Sequence, residues 1–405
     1  MTPSRVVIIG AGVAGTTAAF ELRKQGFEGK VCLIGAEDHW PYNRTELSKN
    51  TGTPPNLLYS EEAFAEAEIE FRHGAMVRKI DRANKFVQLQ TEDTIQYDRL
   101  LLATGARAAV PGVFRNLAVL RTRDDIDACF ADLKSQDRLV IIGGGLIGTE
   151  IAATMVQRGF PVAIVEQQPR LLTRALPEEI AGRLQANLAE HGVDLHLGAK
   201  IASVDAQKVV IETGAEIQAD RIILAIGARP DIDLAAGSGL SVDDGILVND
   251  GLQTSDSAIY AAGDCCRFPA ANGTMRLEAW QPAIDMGQLA ARAMLGKTGS
   301  RRLLPSFWTD QLDLHVQSVG YADQDGKWLK RAGKSGSLIM FQLDGASRLQ
   351  AAVGVGPGMS IGKDMRIAHH MITSEAVIDA ADLESSKTSL KTLLKEASLC
   401  STERH

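Results

Sequence analysis

Arg5-Val6-Val7-Ile8-Ile9-Gly10-Ala11-Gly12-Val13-Ala14-Gly15 is the stretch from which the rest of the chain can be read. A β-branched apolar run breaks into G-x-G-x-x-G, and a helix-compatible segment, Thr16 to Gln25, follows directly. In physical terms this is a buried parallel strand, a tight turn at Gly10, and a backbone at Gly12 bare enough for a pyrophosphate to approach. Gly15 lets the helix pack close to the strand, and the phosphate meets the helix's unpaired N–H groups. Residues 30–37, Lys-Val-Cys-Leu-Ile-Gly-Ala-Glu, supply the next strand. Glu37 stands just past its end, where a ribose-binding acid belongs in a Rossmann crossover.

The pattern then returns. Arg138-Leu139-Val140-Ile141-Ile142-Gly143-Gly144-Gly145-Leu146-Ile147-Gly148-Thr149-Glu150 is a second strand, glycine turn and helix start, and Pro161-Val162-Ala163-Ile164-Val165-Glu166 is a second strand ending in an acid. Two copies are far more specific than one and imply two dinucleotides. Glu166 favours NADH, because a carboxylate there accepts from a free ribose 2′-OH and repels a 2′-phosphate. Arg170 and Arg174 lie close by, and an arginine can hold that phosphate, so strictness toward NADPH stays open. Each copy also has a buried run closing on a glycine: Leu100-Leu101-Leu102-Ala103-Thr104-Gly105 and Ile222-Ile223-Leu224-Ala225-Ile226-Gly227. Such glycines let the chain pass close to a cofactor. Ile259-Tyr260-Ala261-Ala262-Gly263-Asp264 repeats the theme, and Asp264 suits either a ribityl hydroxyl or a helix cap.

A chain of 405 residues suggests about two to three domains. An apolar fraction of 45% and a charged fraction of 23% are those of a soluble globular protein. A net charge of −7 argues against a general nucleic-acid binder. No apolar run approaches the roughly 18 residues of a membrane span, and the first strand begins too near Met1 for a signal peptide. Cys32, Cys129, Cys265, Cys266 and Cys400 form no C-x-x-C and no paired framework. The reading is therefore cytoplasmic, with buried free thiols; adjacent Cys265 and Cys266 would need a strained ring to bridge.

Pro41-Tyr42-Asn43-Arg44-Thr45-Glu46-Leu47-Ser48-Lys49 resembles the P-Y-x-R-P-x-L-S-K segment of FAD-dependent ferredoxin reductases that serve oxygenase systems, the putidaredoxin and rubredoxin reductase type. Arg276-Leu277-Glu278-Ala279-Trp280-Gln281-Pro282-Ala283 resembles that family's E-x-W-x-x-A segment over the flavin, and Pro305-Ser306-Phe307-Trp308-Thr309-Asp310-Gln311 resembles P-x-F-W-S-D-Q. The resemblance implies an α/β fold of two glutathione-reductase-like Rossmann domains and a C-terminal α+β interface domain. FAD would occupy residues 1–110 and 243–307, NAD residues 111–242, and the third domain residues 308–405. It implies Arg44 and Arg121 near the FAD phosphates, Val77 at the adenine, and Lys49 and Trp308 beside the flavin. Trp308 would shield the ring or carry tunnelling electrons. Glu150 would pair with Lys49 across the two nucleotide domains. One departure is clear: Thr45 and Glu46 stand where the family usually has proline, which predicts a less stiff loop.

Two nucleotide sites, one interrupting the other, imply hydride transfer from nicotinamide C4 to flavin N5 and then two single-electron deliveries. No cysteine set ligates a cluster, so the acceptor is another polypeptide, and the resemblance implies a [2Fe–2S] ferredoxin or rubredoxin. The lack of a redox cysteine pair sets aside disulfide reductases, and the lack of a cysteine in residues 43–49 sets aside peroxidases and NADH oxidases. Monodehydroascorbate-reductase-like and apoptosis-inducing-factor-type roles share the motifs and stay open. Past Gly320, short strands alternate with helices at 362–373 and 387–394, and residues 400–405 read as a frayed tail. Lys327, Lys330, Arg331 and Lys334 form a local basic cluster suited to an acidic partner or to solvent. No metal site is expected, since adjacent His369 and His370 splay to different helix faces.

Overall fold

The opening stretch folds as strand β1 (Arg5–Ile9), helix α1 (Val13–Lys24) and strand β2 (Lys30–Ile34), with β3 (Ile69–Arg72) and β4 (Arg99–Leu102) following. The echo is β5 (Leu139–Ile142), α2 (Leu146–Gln157), β6 (Val162–Glu166), β7 (Asp194–Leu197) and β8 (Arg221–Leu224). Then come β9 (Ile259–Ala261) and α3 (Trp280–Met294), and last the strands β10 (Ser306–Gln311), β11 (Leu314–Gly320), β12 (Leu329–Ala332), β13 (Leu338–Leu343) and β14 (Leu349–Pro357). This computed structural model describes residues 3–270, 273–297, 303–323 and 325–402. By its internal contacts the chain divides into two units: Met1–Glu46, Thr53–Arg107 and Ala228–Leu303 form one, and Leu47–Gly52, Ala108–Gly227 and Leu304–His405 the other.

The first unit is built on a parallel sheet in the order β9-β4-β1-β2-β3. Val6, Val7, Ile8, Leu100, Leu101 and Leu102 are fully buried. That explains why these strands read as unbroken apolar runs: a parallel sheet is covered on both faces, so alternation disappears. Burying each such side chain contributes about 1.5–3 kcal/mol. Helix α1 lies against α3 at close range, since a Cβ on Gly287 would come within 2.4 Å of the Ala14 carbonyl oxygen.

The second unit repeats the plan, with the parallel order β7-β6-β5-β8 and then the short strand Ala118–Val119. Each copy also carries a three-stranded antiparallel meander, over residues 77–96 and 201–218. The unit further contains an antiparallel sheet, β10-β11-β14-β13-β12. Helix Gly362–Thr373 buries Met365, Ala368, Met371 and Ile372 in the core of that sheet. Its register sets Trp308 opposite Gln317 and Asp310 opposite His315.

Three expectations change. Helix α1 begins at Val13 rather than Thr16, because Gly12 in extended geometry (φ −74°, ψ −175°) already serves as its N-cap. The C-terminal tail is helical through Thr402 in helix Leu390–Thr402, so Cys400 to Thr402 belong to it, while Glu403–His405 lie outside the described residues. The basic cluster is not one patch: strand period puts Lys330 and Arg331 on opposite faces of β12. Lys330 pairs with Glu179, while buried Arg331 donates to the carbonyls of Asp382, Leu383 and Thr388. Among the described residues, no helix is long and apolar enough to cross a membrane.

Candidate functional site

At the carboxyl end of the first sheet, Gly10 takes φ +107°, and a Cβ there would lie 2.0 Å from the Ala103 carbonyl oxygen. The A-T-G run is thus pressed onto the first glycine, with the Ala103 N–H donating to the Ile9 carbonyl at 2.7 Å. Gly15 is equally confined, 2.0 Å from the Gly10 carbonyl oxygen. Gly12 is the opposite case: a Cβ there meets nothing within 4 Å. Helix α1 has no side-chain cap and no acid in its first turn, so its N–H groups face that open space. An uncapped helix start behind a bare glycine is an arrangement that can receive a pyrophosphate. Gly105 (φ +72°) and Gly263 (φ +83°) end neighbouring strands on the same edge, and Gly263 abuts the Ala14 methyl. Asp264, Val77, Trp280 and Ala283 all fall in this unit, as does exposed Glu278, which pairs with Arg276.

Glu37 accepts the Tyr42 hydroxyl at 2.5 Å and pairs with Arg44, whose guanidinium lies 5.3 Å from the Tyr42 ring centre. Where the family has proline, polar groups tie this loop instead. Asn43 Oδ1 accepts from the Thr45 N–H (3.1 Å) and hydroxyl (2.7 Å). Glu46 accepts from Asn43 Nδ2 (2.9 Å) and from the Asn56 N–H (2.9 Å).

In the second unit the same geometry recurs around different neighbours. Gly143 (φ +108°) sits against the Ala225 carbonyl, and Gly148 would press a Cβ to 2.1 Å from the Gly143 carbonyl oxygen. Gly145, the N-cap of α2, again faces open space, and α2 likewise lacks a side-chain cap and a first-turn acid. Ile147 and Ile226 are large apolar side chains left exposed, with Gly227 (φ +119°) next to the latter. Glu166 closes β6 with both oxygens engaged, accepting from the Gly144 N–H (2.6 Å) and the Gln168 N–H (2.7 Å). Those bonds fix its carboxylate and leave further lone pairs free to accept. Arg170 folds back onto the carbonyls of Leu171, Thr173 and Leu176, and Arg174 is exposed. Arg121 also belongs to this unit, its backbone N–H donating to Asp125.

The three side chains expected to carry catalysis lie together in this unit. Lys49 Nζ is 3.5 Å from Glu150 Oε1 and 5.8 Å from the Trp308 ring centre. Glu150 is 6% exposed on the second turn of α2 and is held by more than the lysine. Its Oε2 accepts the Ser48 hydroxyl, and its Oε1 accepts the Thr309 hydroxyl at 2.7 Å. Gln311 Nε2 donates to Thr149 (2.8 Å) and Thr309 (3.2 Å), and the Thr154 hydroxyl donates to the Ser48 carbonyl (2.8 Å). A buried carboxylate with two hydroxyl donors and a cation is the arrangement that keeps a charge inside a protein. The supporting residues Ser48, Thr309 and Gln311 lie inside the motifs read from the sequence, yet only the register of β10 against α2 shows what they do.

Residues 4–287 match the family described as Pyridine nucleotide-disulphide oxidoreductase, and residues 306–394 match Reductase C-terminal. The chain belongs to the pyridine nucleotide-disulphide oxidoreductase family. It is 34% identical over 386 residues to the 3-phenylpropionate/cinnamic acid dioxygenase ferredoxin–NAD(+) reductase component of Photorhabdus laumondii, covering 92% of this chain and 97% of that protein. It is also 34% identical over 407 residues to the chlorobenzene dioxygenase ferredoxin reductase component of a Cupriavidus species, covering 97% and 98%. Its fold is similar to that in the crystal structure of the covalent putidaredoxin reductase–putidaredoxin complex, with TM-score 0.91 and 30% identity over 98% of this chain and 99% of that one.

This oxidoreductase carries no exposed thiol among the residues whose side chains are described. Cys32, Cys129, Cys265 and Cys266 are all buried and unbridged. Burial pushes the Cys32 and Cys129 thiols up to about 12 and raises Cys265 and Cys266 as well. None is a thiolate near neutrality, and the thiolate is the form that attacks a disulfide. The bare glycine cradles fit dinucleotides; the cysteines do not fit disulfide exchange.

Proposed function

We propose that this flavoprotein oxidoreductase passes electrons from NADH through FAD to a separate [2Fe–2S] ferredoxin or rubredoxin that feeds an oxygenase. The observation that carries the reading is the duplication: two uncapped helix starts, each behind an open glycine, in two different units, with every cysteine whose side chain is described buried and unbridged. The relatives' names, ferredoxin reductase components of dioxygenase systems, support the acceptor class. Bound FAD would supply the step from a two-electron hydride to single electrons, which NADH alone cannot make with an iron–sulfur partner.

In this reading the first cradle, from Gly10 to Gly15 with Glu37, Arg44, Val77, Ala103 to Gly105, Arg121, Gly263, Asp264, Glu278, Trp280 and Ala283, holds FAD. The second, from Gly143 to Gly148 with Glu166, Arg174, Ile226 and Gly227, holds NADH, and Glu166 receives the ribose 2′-OH. Lys49 presents its charge to the flavin ring, Glu150 holds Lys49, and Trp308 lies beside both. The work is done in the cytoplasm, where buried thiols stay reduced.

The test uses acceptors. With NADH, the purified protein reduces ferricyanide quickly and cytochrome c only after a [2Fe–2S] ferredoxin is added. Fast cytochrome c reduction without ferredoxin, or slow turnover with every acceptor and a long-lived reduced complex, overturns the proposal.

Glu150→Gln is expected to slow flavin reduction by NADH about tenfold, or about 1.4 kcal/mol of barrier. The amide keeps the size of the side chain but not the charge that holds Lys49. Stopped-flow reduction at the wild-type rate would remove any kinetic role for the pair.

A further inference from the structure

Lys49 has a second carboxylate. Its Nζ is 3.5 Å from Asp310 Oδ2, the same distance as from Glu150 Oε1. The two acids differ sharply in setting, since the Glu150 side chain is 8% exposed and that of Asp310 52%. An exposed carboxylate on an edge strand ordinarily wanders, and a surface ion pair alone contributes little. Asp310 does not wander, because its other oxygen, Oδ1, is 2.5 Å from His315 Nδ1. His315 is the cross-strand partner of Asp310 in the β10–β11 register and is 6% exposed, so the anchor is buried although the acid is not. The neighbour of His315 on its other side, in β14, is Gly356, which brings no charge. Nε2 of His315 is buried with no partner. A buried imidazole left with one nitrogen unsatisfied carries a cost that packing alone does not explain.

We propose that Asp310, locked by His315, is a positioning residue for Lys49: the Glu150 and Asp310 carboxylates suspend the ammonium between them beside the Trp308 ring. Among the described residues, the charged groups that face Asp310 are His315 from β11, Lys49 from residues 47–52, and, through Lys49, Glu150 from α2. The His315 hydrogen bond, with the Lys49 charge behind it, holds the Asp310 carboxyl below the usual carboxylate range. The second arm therefore stays ionised through mildly acidic conditions. A lysine bound only by Glu150 would have one anchor; with Asp310 at the same distance it has two. The inference rests on the reading of Lys49 as a flavin-side charge.

Four variants test it: Asp310→Asn, His315→Leu, His315→Asn and the double variant Asp310→Asn/His315→Leu. Each is measured for flavin midpoint potential, stopped-flow reduction by NADH, and the hydrogen-bonded imidazole proton in the NMR spectrum. Asp310→Asn is expected to slow reduction about tenfold and, by removing a negative charge, to favour the reduced flavin about tenfold, a rise of about 30 mV for a two-electron couple. His315→Leu moves both readouts the same way, and His315→Asn, whose amide reaches the same oxygen, restores most of the loss. The double variant loses no more than Asp310→Asn alone, since His315 acts through Asp310. A downfield imidazole proton is present in the wild type and absent from His315→Leu. Additive losses in the double variant, or wild-type potential and rate in Asp310→Asn, overturn the proposal. If His315→Leu does not fold, the half-exposed Asp310→Asn decides alone. Glu150→Gln separates the layers: if it too is silent, the flavin-side reading of Lys49 fails; if it slows reduction while Asp310→Asn does not, only the second arm fails.

Discussion

Gly12→Val yields a folded but colourless protein. The backbone at Gly12 has φ −74° and ψ −175°, which valine adopts without strain, and an added Cβ meets nothing within 4 Å. The branched side chain instead fills the space in front of the α1 N-terminus, where the proposed site would bring the FAD pyrophosphate to the open N–H groups. Affinity for FAD is expected to fall at least about a hundredfold, or about 2.7 kcal/mol. Flavin absorbance at purification reports the loss, and far-UV circular dichroism shows the fold retained. The melting temperature drops to that of flavin-stripped wild type, because ligand stabilisation is what disappears. Gly10→Ala supplies the contrast: its Cβ would sit 2.0 Å from a backbone oxygen, so fold and flavin fail together. A yellow Gly12→Val protein with wild-type flavin content would sink the assignment of the first cradle to FAD.

Gly145→Val separates the two nucleotides. The same open geometry (φ −81°, ψ −173°, nothing within 4 Å) makes this substitution tolerable to the second unit. The protein is expected to purify yellow, with full FAD, and to be reduced normally by dithionite. Its apparent affinity for NADH falls about a hundredfold or more, read as the concentration dependence of stopped-flow flavin bleaching. If instead Gly145→Val loses flavin and Gly12→Val loses only NADH binding, the two cradles have been assigned the wrong way round.

The expected losses are large because at both proposed phosphate positions bare backbone faces open space. That is also why they were legible in the linear sequence. G-x-G-x-x-G marks positions where a side chain would collide with backbone or with ligand, and the structure separates the two reasons. Gly10, Gly15, Gly143 and Gly148 are held by contact with their own chain, whereas Gly12 and Gly145 face open space. The terminal acids Glu37 and Glu166 were equally visible, being local to a strand end. Their partners were not: Glu37 meets Arg44 and Tyr42 across a loop, and Glu166 spends two lone pairs on backbone N–H groups.

The sequence by itself determined the two nucleotide units and their order, since both follow from local spacing and residue type. Helix α1 begins three residues before the start that the sequence pattern predicts, because its N-cap lies inside the glycine turn rather than after it. The Lys49–Glu150 pair is already implied by the resemblance; tertiary structure alone decided what else supports it. Segments far apart in the chain (residues 47–52, α2 and the β10–β11 hairpin) bring Glu150 and Asp310 to one ammonium, with Ser48 and Thr309 bonded to Glu150 and His315 to Asp310. Nothing in local spacing marks that cluster. It depends on which strand pairs with which, and in what register, and long-range packing settles both.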